Sequence, residues 1–250
     1  MRKYLSISLF LYALIMSPIT RAQDLVIGGY DYPPFMNAVT QGGSYHHLMD
    51  AIAQQTGLAF KWQYYPYARL DQLFTQNLVH IEVGSAKEWT INSKVPGEFS
   101  NTFYTLEDVA IFRPNEAFSI KTPQDIKGKT VGVVRGYGFI RYDAVFASKQ
   151  ATRFDAKDEN QLLNMLYNGR MDVIFINKNV FFSKREAHPD YQTLMMGDVV
   201  GDYDIRIRVN PNVSHILPKL NQAIDELTAS NIIQIIEQPL QNSAQKKPAN

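Results

Sequence analysis

Residues 119–138 read SIKTPQDIKGKTVGVVRGYG, and the order of the parts in this stretch decides how the chain is organised. A polar approach containing Pro123 gives way to a short β-branched run at 131–134, then to a glycine-bounded turn, Gly136-Tyr137-Gly138. That is the entry, strand and exit of an α/β unit. An equivalent unit precedes it. Residues 25–27 read as a buried strand that ends in Tyr32-Pro33-Pro34-Phe35, and Ser44 is placed to cap a helix carrying Tyr45, Leu48, Met49 and Ile52 on one face, closed by Gly57. Phe60, Trp62 and Tyr64 alternate as a strand, Leu70, Leu73 and Phe74 mark a helix, and Ile81 with Val83 a further strand.

The rhythm continues after residue 138. Asp158 is placed to cap a helix bearing Leu162, Met165 and Leu166 that stops at Asn168-Gly169, and 173–176 reads as a buried strand. YDIRIRVNPN (203–212) alternates, with Ile205, Ile207 and Val209 on one face and Arg206 and Arg208 on the other. Two helices follow, one through Leu217, Leu220, Ile224 and Leu227, the other from a Ser230 cap through Ile232, Ile233 and Ile236. Two α/β units in tandem predict two lobes, with crossings around 107–114 and 195–204 and a ligand cleft between them.

The ends and the composition narrow the class. Arg2-Lys3, an apolar run at 4–19 and Thr20-Arg21-Ala22 form the pattern of a secretory signal peptide over 1–22. The apolar run falls short of the ~20 residues a membrane span needs. The chain of 250 residues has no cysteine, so an exported product must rely on its core and not on disulfides. Its formal charge of +1 turns negative once Arg2, Lys3 and Arg21 are removed. No basic block exists to track a polyanion, which argues against nucleic acid as a partner. The tail at 241–250 is polar and is expected to be disordered.

Several stretches in order carry a resemblance: YDYPPF after the first strand, SYHHLMDAIAQQTGLAFKWQYYPYARL, GEFSNTFYT, TPQDIKGKTVGVVRGYG, LLNMLYNGRMDVIFIN, and YDIRIRVNPNVSHILPKLNQAIDEL. Together, over about 24–238, the chain resembles the family 3 extracellular solute-binding proteins of the type II periplasmic-binding-protein fold. The PYAR of residues 66–69 is similar to a subgroup with a Pro-aromatic-x-Arg turn. The resemblance implies a discontinuous lobe one (24–110 plus 205–240), a lobe two (111–204), and hinge closure on a small ligand. It also implies a periplasmic location and a partner that is an ABC-type permease or, in the alternative, a membrane signalling protein. A monomer is expected, with no cofactor and no metal.

The same resemblance nominates a site. Tyr32 falls where the family stacks an aromatic on its ligand, with Tyr67 and Trp89 as further walls and Ser85 and Lys87 on slots that line the cleft. Arg69 and Arg135 are candidate anion grips. Tyr137 and Gly138, at a strand-to-helix turn, read as a lobe-two wall. Two family positions depart from pattern. The arginine that clamps a ligand carboxylate shortly before Glu98-Phe99-Ser100 is replaced by Ser93 or Asn92, leaving Lys87, Lys94, Arg69 or Arg135 as substitutes. The aspartate that receives a ligand ammonium is Asn177, expected to hydrogen-bond the far end of the ligand, while Asp172 is structural. An ordinary α-amino acid is thereby put in doubt, and an amino-acid-like molecule or organic anion is the expected guest.

Catalysis is not expected. No nucleophile elbow or phosphate loop is present, His46-His47 diverge on a helix, and Glu88 is the one carboxylate placed for acid–base work, more simply read as solvated. A dehydratase- or lyase-type enzyme of the same fold is the remaining alternative.

Overall fold

The computed structural model describes residues 24–237 apart from 233. The expected signal peptide and polar tail lie outside the described residues. Nine strands alternate with helices: β1 (Leu25–Gly29), α1 (Ser44–Thr56), β2 (Phe60–Tyr64), α2 (Tyr67–Thr75), β3 (Ile81–Ser85), β4 (Glu98–Phe99), β5 (Tyr104–Phe112), β6 (Thr130–Val134), α3 (Asp143–Ala147), β7 (Thr152–Ala156), α4 (Glu159–Tyr167), β8 (Val173–Asn177), α5 (Lys178–Ala187), β9 (Met195–Val209) and α6 (Leu217–Ala229). No helix among the described residues is long and apolar enough to cross a membrane.

The strand order is β2-β1-β3-β9-β5-β8-β6-β7, with β4 also paired to β9. β1 runs parallel to β2 and β3, and β6 parallel to β7 and β8. The two parallel groups are joined by β5 and β9, which pair antiparallel with each other. The last residues of β9 pair with β3 while its earlier part pairs with β5, so one strand serves both halves. Parallel strands need covering on both faces, and α1 and α6 pack together beside the first group. Ile27, Leu48, Ile52, Ile81, Ile207, Leu220 and Ile224 are fully buried there. Val131, Val133, Val173, Phe175, Phe139 and Tyr142 form the core of the second group. Each such side chain contributes about 1.5–3 kcal/mol by leaving water.

Three local expectations are corrected. Ser44 does not cap α1: Gly43 holds the cap position at φ 118°, and Ser44 is the first helical residue. The reason is the turn before it. The N–H groups of Ser44 and Tyr45 donate to the carbonyls of Pro34 and Phe35 at 3.3 and 3.0 Å, which satisfies the helix end with backbone. A Cβ at residue 43 would sit 2.3 Å from the Phe35 carbonyl oxygen, so glycine is required. Ser230 ends α6 instead of starting the next helix, its Oγ donating to the Glu226 carbonyl at 3.0 Å. In α4, Leu163 is buried with Leu162 and Leu166, and Met165 only partly, because the core wraps the other flank of the helix. Asp158 does cap α4, accepting from the Gln161 N–H at 2.8 Å.

Candidate ligand-binding site

β1 ends at Gly29, and the chain then presents Tyr30 and Tyr32 on the same side, two residues apart, over the end of the sheet. Tyr32 stacks on Phe35 at a centroid distance of 5.4 Å, and Phe35 is fully buried. The turn after β1 therefore plugs the core with Phe35 and holds Tyr32 against it.

Pro66 precedes α2 and Tyr67 is the first helical residue. Its ring lies 4.8 Å from that of Tyr30 and, edge to face, 4.8 Å from that of Tyr137. Tyr137 follows β6, so this contact joins the two halves of the molecule. Gly136, at φ 92°, makes it possible: a Cβ there would come within 3.2 Å of the Tyr67 ring. The short turn Lys87–Thr90 after β3 supplies Trp89, whose ring meets Tyr203 edge to face at 5.0 Å.

Tyr30, Tyr32, Tyr67, Trp89, Tyr137 and Gly138 line one cavity of about 20 Å³, and the remaining lining residue is Asp108 of β5. A register shift between β5 and β9 falls between Asp108 and Val109, a bulge of the kind that re-aims a side chain. Burial pushes the Asp108 carboxyl up to about 7, with no opposing charge or hydrogen bond to bring it down. Burial likewise holds the phenols of Tyr30, Tyr32 and Tyr137 well above their ordinary range, so all three stay neutral. The Tyr137 hydroxyl donates to Glu159 Oε1 at 2.6 Å. Glu159 is itself 5% exposed, and desolvation raises its carboxyl while the Tyr137 hydrogen bond opposes the rise.

Two wider recesses flank the cavity. One, of about 260 Å³, is lined by Tyr67, Asp71, Glu82, Ser85, Trp89, Ser93, Gly136 and Arg208, among others. The other, of about 450 Å³, lies against Tyr30, Asp31, Tyr67, Tyr137, Lys157, Asp158 and Glu159.

Five of the expected site residues, Tyr32, Tyr67, Trp89, Tyr137 and Gly138, are thus brought to a single cavity. Ser85 lines the smaller recess. Arg69, Lys87 and Arg135 are exposed and lie outside the lining of the cavity and both recesses. Asn177 is 2% exposed and its side chain is already committed. Its Oδ1 caps α5 by accepting from the N–H groups of Asn179 and Val180, and its Nδ2 donates to the Glu107 carbonyl at 3.2 Å. The expected basic and amide contacts to a ligand gain no support from these placements.

Four residues of the site escaped the sequence reading. Tyr30 was within reach, since it repeats Tyr32 at strand spacing. Asp108 is an acid inside the largely apolar run YTLEDVAIF, and a charge within such a strand is the signal that marks it. Glu159 reads as an ordinary first-turn acid. Arg208 lay on the polar face of an alternating strand, yet it is 2% exposed. It reaches Glu82 at 2.9 Å, Asp71 and Ser93 Oγ at 3.0 Å, and the Pro96 and Val95 carbonyls, with its guanidinium 3.9 Å over Phe74. Arg208 therefore puts a guanidinium beside Ser93, where the resemblance expects one. Its Nε and Nη2 donors and one Nη1 N–H go to protein acceptors, so it offers no open fork to a ligand.

No protein-family model and no curated protein matches this sequence. Solved structures do match. A substrate-binding protein, AbpA, of an amino acid ABC transporter from Streptococcus pneumoniae, bound to L-arginine, aligns with a TM-score of 0.72 at 19% identity, over 89% of this chain and 97% of that one. The GluR0 ligand-binding core in complex with L-glutamate gives 0.74 at 15%, over 88% and 99%. A histidine kinase sensor domain similar to periplasmic binding proteins gives 0.74 at 14%, over 87% and 96%. The chain has the α/β, two-lobed fold of the type II periplasmic-binding proteins. At these identities the likeness is one of fold.

Proposed function

We propose that this chain is an exported, periplasmic solute-binding protein that closes two lobes on one small ligand and presents it to a membrane partner. The lobes are 24–110 with 205–240, and 111–204, hinged at β5 and β9. The observation that carries the reading is the convergence of rings from both halves on one cavity: Tyr30, Tyr32, Tyr67 and Trp89 from the first, Tyr137 from the second. Such a surface is costly to leave wet, and it is covered when the two halves meet, as Tyr67 and Tyr137 do.

Delivery to an ABC-type permease is the primary reading, and the amino acid transporter protein among the similar structures supports it. A sensory role is favoured by the kinase sensor domain of the same fold. The two share one binding mechanism, without chemistry on the ligand.

A thermal-shift panel of amino acids, organic acids, amines and short peptides tests the reading. A selective ligand at a hundredfold excess over its Kd stabilises by about 2.7 kcal/mol. Tyr32→Ala and Tyr67→Ala should each abolish that shift. Retention of the full shift in both variants would place the binding site elsewhere.

A further inference from the structure

We propose that the cleft selects a small organic cation, an amine or methylated ammonium, whose charge is held inside the aromatic cage against Asp108. This rests on the capture reading above and assigns its ligand class.

Three independent features point the same way. The cage consists of the rings of Tyr30, Tyr32, Tyr67, Trp89 and Tyr137 around one small space. Neutral aromatic faces carry a negative quadrupole, and enclosing a cation with several of them is a recurrent means of recognition. Among the described residues Asp108 is the only charged one in the cavity lining, and no described lysine, arginine or histidine faces it there. Its strand neighbour Glu107 is satisfied by Lys178 at 2.7 Å, whereas Asp108 has no ion-pair or hydrogen-bond partner among the described residues. A carboxyl in such a place tends to keep its proton while the site is empty and becomes the counter-ion of a cation that enters.

The flanking recesses add to the same field. On one side Glu159, Asp158 and Asp31 stand against Lys157, which lies 3.5 Å from Asp158. On the other, Asp71 and Glu82 stand against Arg208, whose Nε, Nη2 and one Nη1 donor are engaged. A ligand carboxylate entering the cavity would meet no positive charge in its lining, because Ser93 and Asn177 occupy the two family clamp positions and Arg69, Lys87 and Arg135 lie outside that lining. An anion or an α-amino-acid zwitterion would therefore lose hydration without replacement. The closed cavity holds about 20 Å³, so the rings must part to admit an ammonium head, and lobe opening parts Tyr137 from the others.

Titration supplies a separate prediction. The titratable groups facing Asp108 are the phenols of Tyr30, Tyr32, Tyr67 and Tyr137 in the cavity lining and of Tyr203, which burial keeps neutral. Glu159 lies beyond Tyr137 and holds its hydroxyl. Cation affinity should therefore rise as pH increases through about 7, the value to which Asp108 is pushed.

The test is calorimetry of the mature protein with tetramethylammonium, butylamine, L-arginine, L-glutamate and succinate at pH 5.5, 7 and 8.5. Binding of tetramethylammonium or butylamine, weakened by at least about 30-fold in Asp108→Asn, is the expected result. The pH dependence should vanish in that variant. Asp108→Asn is isosteric and should fold, which its melting curve verifies. Preferential binding of succinate or L-glutamate, or cation binding indifferent to Asp108→Asn, overturns the cation assignment and leaves the capture reading standing. Absence of any shift with the whole panel, amines included, overturns both.

Discussion

The ring of Tyr67 meets the ring of Tyr137 edge to face at 4.8 Å, and it does so across the boundary between the two halves of the molecule. Tyr32 approaches the same Tyr137 ring perpendicularly at 6.2 Å. One residue of the second half thus seats against two of the first. The backbone that allows this is Gly136, in a left-handed conformation beneath the Tyr67 ring.

Gly136→Ala should both strain the turn and push Tyr67 aside. The φ of 92° disfavours any side chain, and the new Cβ would be only 3.2 Å from Tyr67 Cδ1. A loss of about 1–2 kcal/mol is expected in urea unfolding, with weaker ligand binding. An unchanged midpoint and affinity would mean that this turn relaxes freely.

Arg208 is the structural hub of the first half. Truncating it to Ala leaves Glu82, 14% exposed at its side chain, as a buried charge without its partner. The expected cost is about 3–5 kcal/mol. Arg208→Lys should recover little, since an ammonium replaces neither the fork nor the stacking on Phe74. Adding Glu82→Gln to the Ala variant should restore part of the loss, as a double-mutant cycle would show.

Tyr137→Phe removes the hydroxyl that donates to Glu159. The buried carboxylate is then left without that donor, at about 1–3 kcal/mol measured at pH 7. The deficit should shrink in acid, where Glu159 is protonated and its demand for a donor falls. A deficit that stays constant down to pH 4 would assign the loss to packing instead.

Asp108 gives the pH dependence of stability. Its folded-state value of about 7 lies above the 3.8 of an unperturbed aspartate. The unfolded chain therefore loses its proton first as pH rises, and the folded state is progressively penalised between about 4 and 7. Above pH 7 the penalty is constant. Asp108→Asn should remove it, raising unliganded stability at pH 8 by on the order of 1–3 kcal/mol, less than the full shift implies because the carboxylate borders the cavity. At pH 4 the variant and the parent should coincide. Greater stability with weaker ligand binding is the signature of a binding residue maintained at the expense of the fold.

How much of this could be read in the chain differs from element to element. The period-2 and period-3.6 patterns around Ile27, Leu48, Val131, Leu162 and Ile207 located the strands and helices, since burial of one face leaves that trace directly. Tyr32, Tyr67 and Trp89 were legible because rings at element ends have few structural reasons to be there. The charges were not. Arg208 and Ser93 meet through a contact between residues far apart in sequence, and the fate of Asn177 was decided by a local cap that a ligand-binding reading overlooks. Asp108 was hidden for a different reason. A single acid in a strand reads as solvent-facing unless the neighbouring strands are known, and here β8 and β9 enclose it.

The most direct measurement is of lobe distance. The chain contains no cysteine, so spin labels at Gln55→Cys in α1 and Lys127→Cys in the second half would be unambiguous, both positions being exposed. Pulsed dipolar spectroscopy should give a broad, longer distance distribution for the unliganded protein. Saturation with a hit from the thermal-shift panel should contract it to one narrow, shorter distance. Identical distributions with and without that ligand would contradict capture by closure of two lobes.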